Sequence, residues 1–536
     1  DLKGKDGMIP VSAITCFNTE GTDWIGRPMH PEVNVGKGRV QPLWIGIQIP
    51  EHAGRGIYSG KAIVSDSSGA SQEVKITINL SDNVLVDKGD SDLWRLSRLR
   101  WLNSQYAVND QLVKPFIPMT VTDNTISVLG RSVTAGELGL PASIRSYFTE
   151  EMTSVGKEAK DILAKPMELV IRRNGKQLPI TSLLKFGKKE DGIVSWTAAG
   201  KAGSLDVTVH ASMEFDGFMS YQIKVKATEN TSVDDIALMT SMPATTAKYR
   251  LGMGYEGSLR PKSDRWKWNV ERNQEGFWFG DVNGGMQCLF RAENYRRPLN
   301  TNFYKMQPLN MPPSWFNDGK GGISYREQEK QVNIETYSGK RTMTKGEELN
   351  FDFLVLVTPF KPIDTMKQWT DRYYHGYQPA EKLKEGDAHA YQAVDVVAET
   401  GANVINLHHG NAVNPHINYP FFRPAFMKQY VDESHAKGYK VKIYYTVREL
   451  NNHAPELFAL KSLGHEIFSP GKGGGYAWLQ EHLDGDYIAA WFVDAYKDAA
   501  IVNTGISRWH NFYVEGLNWL TKNVGIDGVY IDDLAP

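Results

Sequence analysis

After Pro359 the chain changes its grammar, and this change limits the possible folds more than any other feature. "GDAHAYQAVDVVAET" reads as a helix and "GANVINL" as the strand after it. "RPAFMKQYVDESHAKG" and "YKVKIYYT" repeat the pair, and "SRWHNFYVEGLNWLTKNVG" and "DGVYI" repeat it again. Gly401, Gly438 and Gly525 stand where the helical stretches close, as helix-terminating glycines do. Each strand is a short, mainly apolar run. Helices alternating with such strands predict a parallel sheet covered by helices. "DRYYHGY" (Asp371–Tyr377) reads as an additional first strand, which makes "DGVYI" the fourth. The stretch from 362 to 536 is shorter than the roughly 250 residues of a closed (β/α)8 barrel. The expectation is a TIM-type barrel truncated at the chain end, in a natural protein that continues.

Before Pro359 the period is two. "QPLWIGIQIP" (Gln41–Pro50) alternates Leu43, Ile45, Ile47 and Ile49, and "GIYSGKAIVS" and "SQEVKITINL" follow across short turns. These runs predict an N-terminal β-sandwich over 1–95. "PMELVIRR", "LDVTVHASMEF", "MSYQIKVKAT" and "LNFDFLVLVTPF" continue the style and predict a large β-supersandwich over 110–358. A short helix is expected near "IRSYFTEEM". The aromatic stretch Ser263–Gly285 reads either as an edge hairpin or as a loop reaching a neighbouring site. The fold class is therefore multidomain β plus α/β, with barrel residues 362–536.

The net charge of −2 argues against a basic nucleic-acid surface. No apolar run approaches the roughly 18 residues of a membrane helix, so neither nucleic-acid binding nor a membrane-spanning segment is expected. Cys16 and Cys288 fit no metal spacing and are not expected to pair. The start at Asp1-Leu2-Lys3-Gly4 suggests a processed N-terminus. Aromatic residues make up 11% of the chain, most of them assigned to core packing, but rings in loops also suit the apolar face of a sugar.

In parallel α/β sheets the chemistry sits where strands end. The first clear strand ends in His408-His409, the second in Arg448-Glu449 and the third in Asp532-Asp533. Three polar tips on apolar strands predict one converging site. Strand alternation puts Tyr530 and Asp532 on one face and Ile531 and Asp533 on the other. Carboxylates at such a tip suit glycoside hydrolysis, one as nucleophile and another as acid. Asp532, Asp533 and Glu449 are the candidate catalytic residues. One of the two adjacent aspartates alternatively serves as an N-cap. Alternation should also bury one of the two histidines and expose the other. With no third ligand nearby to complete a zinc set, hydrogen bonding to sugar hydroxyls is expected of them, and no metal or cofactor. "SPGKGGGYAW" lacks the phosphate-loop pattern and reads as a loop over the site, with Tyr476 and Trp478 as sugar platforms. His408, His409, Arg448, Asn418, Tyr476, Trp478 and Tyr530 form the candidate substrate-binding set.

"LWIGIQIPEHAGRGIYSGKAIV", "FLVLVTPFKPID", "INYPFF", "YYTVREL" and "GIDGVYIDD" together resemble a little-characterised family of glycoside-hydrolase-like proteins of bacterial polysaccharide-utilisation systems. The resemblance implies a small β-sandwich, a large supersandwich and a (β/α)8 barrel, related to retaining α-galactosidase-like and α-N-acetylgalactosaminidase-like barrels. It also implies a carbohydrate substrate and a secreted, periplasmic or outer-membrane-attached location. In that wider group an Asp at the end of the fourth barrel strand is the nucleophile, which corresponds here to Asp532 or Asp533. The group's Lys-x-Asp is Tyr530-Ile531-Asp532 in this chain. The chitinase-like D-G-x-D-x-D-x-E pattern is met at Asp527, Gly528 and Asp532, but Tyr530 and Leu534 replace its second Asp and its Glu. Two other readings stay open: an N-acetylhexosaminidase assisted by the substrate's acetamide, using the adjacent pair, and a non-catalytic carbohydrate-binding protein.

Overall fold

The computed structural model describes residues 1–269, 276–291, 311–375, 393–471, 475–476, 478–479, 499–503 and 507–532. The chain divides into two compact units. One joins Asp1–Val108 to Asp371–Leu534, and the other holds Asn109–Thr370.

The Asn109–Thr370 unit is built from antiparallel sheets of ten, six and five strands. Alternation forms them. In the strand Leu205–Glu214 the residues Leu205, Val207, Val209, Ala211 and Met213 point inward, and in its partner Phe218–Ala227 so do Met219, Tyr221, Ile223, Val225 and Ala227. The inward residues of the three sheets share one apolar core. The helix expected near Ile144 is replaced by the strand Pro141–Phe148. There Ile144, Ser146 and Phe148 are buried, a period of two that overrides local helix preference. The aromatic stretch after Ser263 supplies strands to two sheets. Ser263–Lys267 forms the edge of the six-stranded sheet, and Gly276–Asp281 lies inside the ten-stranded one. Trp266 and Trp268 are core residues.

In the other unit, strands Gly56–Ser65 and Ser71–Leu80 pair over their full length, beside Leu2–Gly4 and Gly7–Ile9. The expected strand around Trp44 is only Ile45–Ile47, and Leu43, Ile45 and Ile49 are exposed, so its alternation buries no face. The parallel sheet runs in the order Tyr373–His375, Val404–Leu407, Lys440–Tyr444, Gly528–Tyr530. "DRYYHGY" thus supplies the first strand and "DGVYI" the fourth of the described sheet.

Helices Pro424–Ala436 and Trp509–Asn523 cover it. The first buries Met427, Tyr430, Val431 and Ser434. The second buries Trp509, Phe512, Tyr513, Gly516, Trp519 and Leu520, the spacing of one helical face. Gly401, Gly438 and Gly525 all adopt positive φ at the ends of the helical stretches, which only glycine does cheaply. The 3-10 helix Ser97–Asn103 inserts Leu99, Trp101 and Leu102 into this same core, with Trp101 against Phe421, Phe512 and Trp519.

Candidate active site at the strand ends

Each strand of the parallel sheet delivers one ring at its C-terminal end. His375 closes the first, His408 follows the second, Tyr444 closes the third and Tyr530 the fourth. The register puts Tyr444 opposite Tyr530, and His375 opposite Asn406, two residues before His408. Ring centroids lie 5.5 Å apart for His375 and His408, 4.5 Å for His408 and Tyr444, 5.5 Å for Tyr444 and Tyr530, and 5.0 Å for Tyr530 and His375. His409 joins the cluster at 4.3 Å from Tyr444.

His408 and His409 are both buried, at 4% and 5% exposure, against the expectation that one would face solvent. The strand stops at Leu407 and the chain turns at Gly410, whose φ is +86°. The alternation that would separate the two rings has ended before it reaches them.

The loop after the second strand is wound on its own amides. Asn411 Oδ1 accepts from the backbone N–H groups of Val413 and Asn414, and Asn411 Nδ2 donates to the His408 carbonyl. From this loop two side chains reach the third strand. Asn414 Nδ2 donates to the Tyr444 carbonyl at 3.1 Å, and Asn418 Oδ1 accepts from Thr446 N–H at 2.7 Å. Asn418 is buried and adopts φ +51°, a left-handed conformation that asparagine tolerates better than most residues. Thr446 Oγ1 in turn donates to the backbone carbonyl of Asp532 at 3.1 Å. Asp532 is half-buried directly beyond the fourth strand. Asp533 lies outside the described residues.

Glu449 opens a separate three-stranded antiparallel sheet made of Glu449–Asn451, Ala499–Ile501 and Trp478–Leu479. Its side chain is fully buried, and Oε2 lies 2.7 Å from Arg448 Nε. Trp478 contributes backbone to this sheet; its side chain is outside the description. Tyr476 is half-buried, with its ring against His465 and Phe468 and its hydroxyl donating to the Lys461 carbonyl at 2.8 Å.

A second polar tier lies in the core. Arg98 Nη1 donates to the Tyr419 hydroxyl, which donates to Glu456 Oε2 at 2.8 Å. Burial pushes the Glu456 carboxyl above its ordinary range, although Arg98 pulls it back. Among the described residues no group of three or more His, Cys, Asp or Glu is placed to hold a metal, and no helix is long and apolar enough to cross a membrane.

Sequence reading missed His375, Asn414 and Thr446. His375 carried a usable signal, as the last residue of the first strand. Asn414 and Thr446 carried none, because their role depends on which strand lies next to which.

A parallel α/β domain with polar, ring-lined strand tips is compatible with a sugar-acting enzyme. Two family models match it: glycoside hydrolase 123, third domain, over residues 119–359, and glycoside hydrolase 123, TIM-barrel domain, over residues 364–536. Together they take in well over half of the sequence, and the chain belongs to the glycoside hydrolase 123 family. Among solved structures it is similar to the galactosidase domain of an alpha-galactosidase–sucrose kinase, with a TM-score of 0.33 and 9% identity over 77% of this chain. The chain spans 64% of that structure's length. It is also similar to an alpha-N-acetylgalactosaminidase from Bifidobacterium bifidum in complex with GalNAc, with a TM-score of 0.28 and 10% identity over 76% of this chain and 69% of the other. A galactose mutarotase related enzyme from Lactobacillus acidophilus matches 46% of this chain and 98% of its own, with a TM-score of 0.24 and 8% identity. At these scores the likenesses say nothing about the chemistry. A search of curated proteins found no match.

Proposed function

We propose that the chain hydrolyses a glycosidic bond of a polysaccharide or glycan at the C-terminal edge of the parallel sheet, with retention and with Asp532 as nucleophile. The observation that carries this reading is the cluster of four rings from four parallel strand ends, with Asp532 following the fourth strand at the same edge of the sheet. The rings of His375, His408, Tyr444 and Tyr530 suit a sugar's apolar face and hydroxyls. Arg448 and His409 complete the hydroxyl-binding set. Asp532 attacks the anomeric carbon as the glycosidic bond breaks, and an acid gives its proton to the leaving oxygen. Water then releases the sugar from the carboxylate. In this reading the two β-rich portions are β-sandwiches accompanying a (β/α)8 barrel.

A second reading is favoured by one contact. Glu449, the other candidate acid, is fully buried with Oε2 2.7 Å from Arg448 Nε, a placement that suits bracing the arginine better than meeting a leaving oxygen. The adjacent pair Asp532 and Asp533 then supplies both groups of an acetamide-assisted scheme. In this scheme one aspartate orients the substrate's own acetamide, whose oxygen attacks the anomeric carbon, and the other protonates the leaving group. Glu449 then serves to hold Arg448.

The test is a panel of 4-nitrophenyl α- and β-glycosides that includes N-acetylhexosaminides, assayed with the wild type and with Asp532→Asn and Asp533→Asn. The covalent scheme expects Asp532→Asn to lose several orders of magnitude in rate and Asp533→Asn less. The acetamide scheme expects both losses to be severe and only N-acetylated substrates to turn over. Near-normal activity in Asp532→Asn would end both.

A further inference from the structure

We infer that Thr446 is a positioning residue for Asp532, held in place by Asn418. The inference rests on the reading that Asp532 does chemistry, and it adds how the chain aims that residue. The third and fourth strands are joined by a parallel ladder whose last described bond runs from Tyr445 N–H to the Tyr530 carbonyl. Ladder bonds between parallel strands recur every two residues, so the next would run from Val447 N–H to the Asp532 carbonyl. Here the strands part, and Thr446 Oγ1 donates to that carbonyl instead. The Tyr445 carbonyl accepts the Tyr513 hydroxyl at the same point. Among the described contacts, a side-chain hydroxyl thus grips the backbone at the point where the strand becomes the site.

Thr446 itself is fixed from behind. It is fully buried, and its N–H donates to Asn418 Oδ1. The Asp532 carbonyl belongs to the peptide that joins Asp532 to Asp533. Holding it fixes the backbone at the residue whose carboxylate is assigned the chemistry. Loss of the bond frees the backbone at Asp532, whereas the ring cluster that would bind the sugar stays on its strands. The two functions therefore separate: loss of the hydroxyl affects the reacting group more than the binding surface.

Threonine permits a clean test, since valine copies its shape without the hydroxyl and serine keeps the hydroxyl without the methyl. The full chain is assayed on the 4-nitrophenyl glycoside that the wild type turns over fastest. Thr446→Val should lower kcat about tenfold or more with KM within about threefold, since misplacing a reacting group by about 1 Å costs up to about a hundredfold. Thr446→Ser should keep kcat within about threefold of wild type. Hydrogen exchange of the 530–532 amides gives a readout that needs no substrate: it should rise in Thr446→Val and not in Thr446→Ser. Equal losses in both variants would assign the effect to volume and overturn the proposal, as would unchanged kcat or unchanged exchange in Thr446→Val. Asp532→Asn in the same assay tests the underlying reading separately. Full activity there removes the assigned role of Asp532 whatever Thr446 does. An inactive Asp532→Asn beside a normal Thr446→Val removes only the positioning role.

Discussion

Glu214 closes the strand Leu205–Glu214, and its carboxyl is pushed up to about 7 by burial first, then by the nearby charges of Asp216 and Asp110. The folded chain holds this proton to about pH 7, while the unfolded chain gives it up near its ordinary value of 4.5. Below that ordinary value the group is protonated in both states and costs nothing. Stability falls as the pH rises from there to about 7, and stays lower above it. The penalty is about 3–4 kcal/mol at one pKa unit per roughly 1.4 kcal/mol. Glu214→Gln removes it, so the variant should melt higher than wild type at pH 8 and close to it at pH 4 by thermal denaturation; an equal gain at both would refute the assignment. Nothing in "MEFDGF" marks Glu214, because its neighbour Asp110 arrives from a distant part of the chain. The strand-end residues divide in the same way. His408, Tyr530 and Asp532 were legible because their own strand places them. The burial of both His408 and His409 was not, since a turn one residue further on cancels the alternation. Asn418 was legible as a residue near the site, but its bond to Thr446 depends on the third strand lying alongside.

At the scale of elements, helices Pro424–Ala436 and Trp509–Asn523 were the most legible because each has a long apolar face and a glycine stop, whereas the first expected helix is seen only as Val394–Glu399, its earlier residues lying outside the described ones. The three-residue strand Glu449–Asn451 was not, since it is too short to show a period and depends on Ala499–Ile501 as partner. Helix Trp509–Asn523 also carries an interior glycine with a reason. A Cβ on Gly516 would lie 2.8 Å from Phe421 Cζ and 2.9 Å from the Tyr445 hydroxyl. Alanine is better than glycine in a helix by about 1 kcal/mol. Forcing a methyl into a packed core costs about 1–3 kcal/mol. Phe421 and Tyr445 are both fully buried, and Tyr445 stacks on Tyr513 with centroids 4.3 Å apart, so neither ring can yield. Packing should outweigh propensity. Gly516→Ala should lower the melting temperature, and the displaced Tyr445 lies between Tyr444 and Thr446 of the site. A variant that melts higher would show that the pocket relaxes around the methyl.

At the scale of the whole molecule, the first hundred residues do not form a compact unit of their own but group with the parallel sheet's residues. Alternation in residues 40–80 had suggested a self-contained domain, since pairing within a segment leaves a pattern and docking onto a distant one leaves none. Arg508 ties the two segments together. It is fully buried just before helix Trp509–Asn523 and forms a two-pronged ion pair with Glu466, through Nε and Nη2 at 2.7 and 2.8 Å. The guanidinium also donates to the carbonyls of Phe17 at 2.8 Å and Glu20 at 3.2 Å. Asn511 extends the clasp with bonds to the carbonyls of Thr22 and Leu102. Arg508→Ala would leave Glu466 without its partner and two carbonyls without donors. Breaking a buried pair in this way costs about 3–5 kcal/mol. Arg508→Lys keeps the charge but not the planar fork, and should recover only part of that loss. Hydrogen exchange should show the amides of 14–22 and 509–523 losing protection together in Arg508→Ala, while those of 205–227 in the other unit stay as in wild type. If residues 14–22 kept their protection while 509–523 lost theirs, the N-terminal segment would be an independent domain after all.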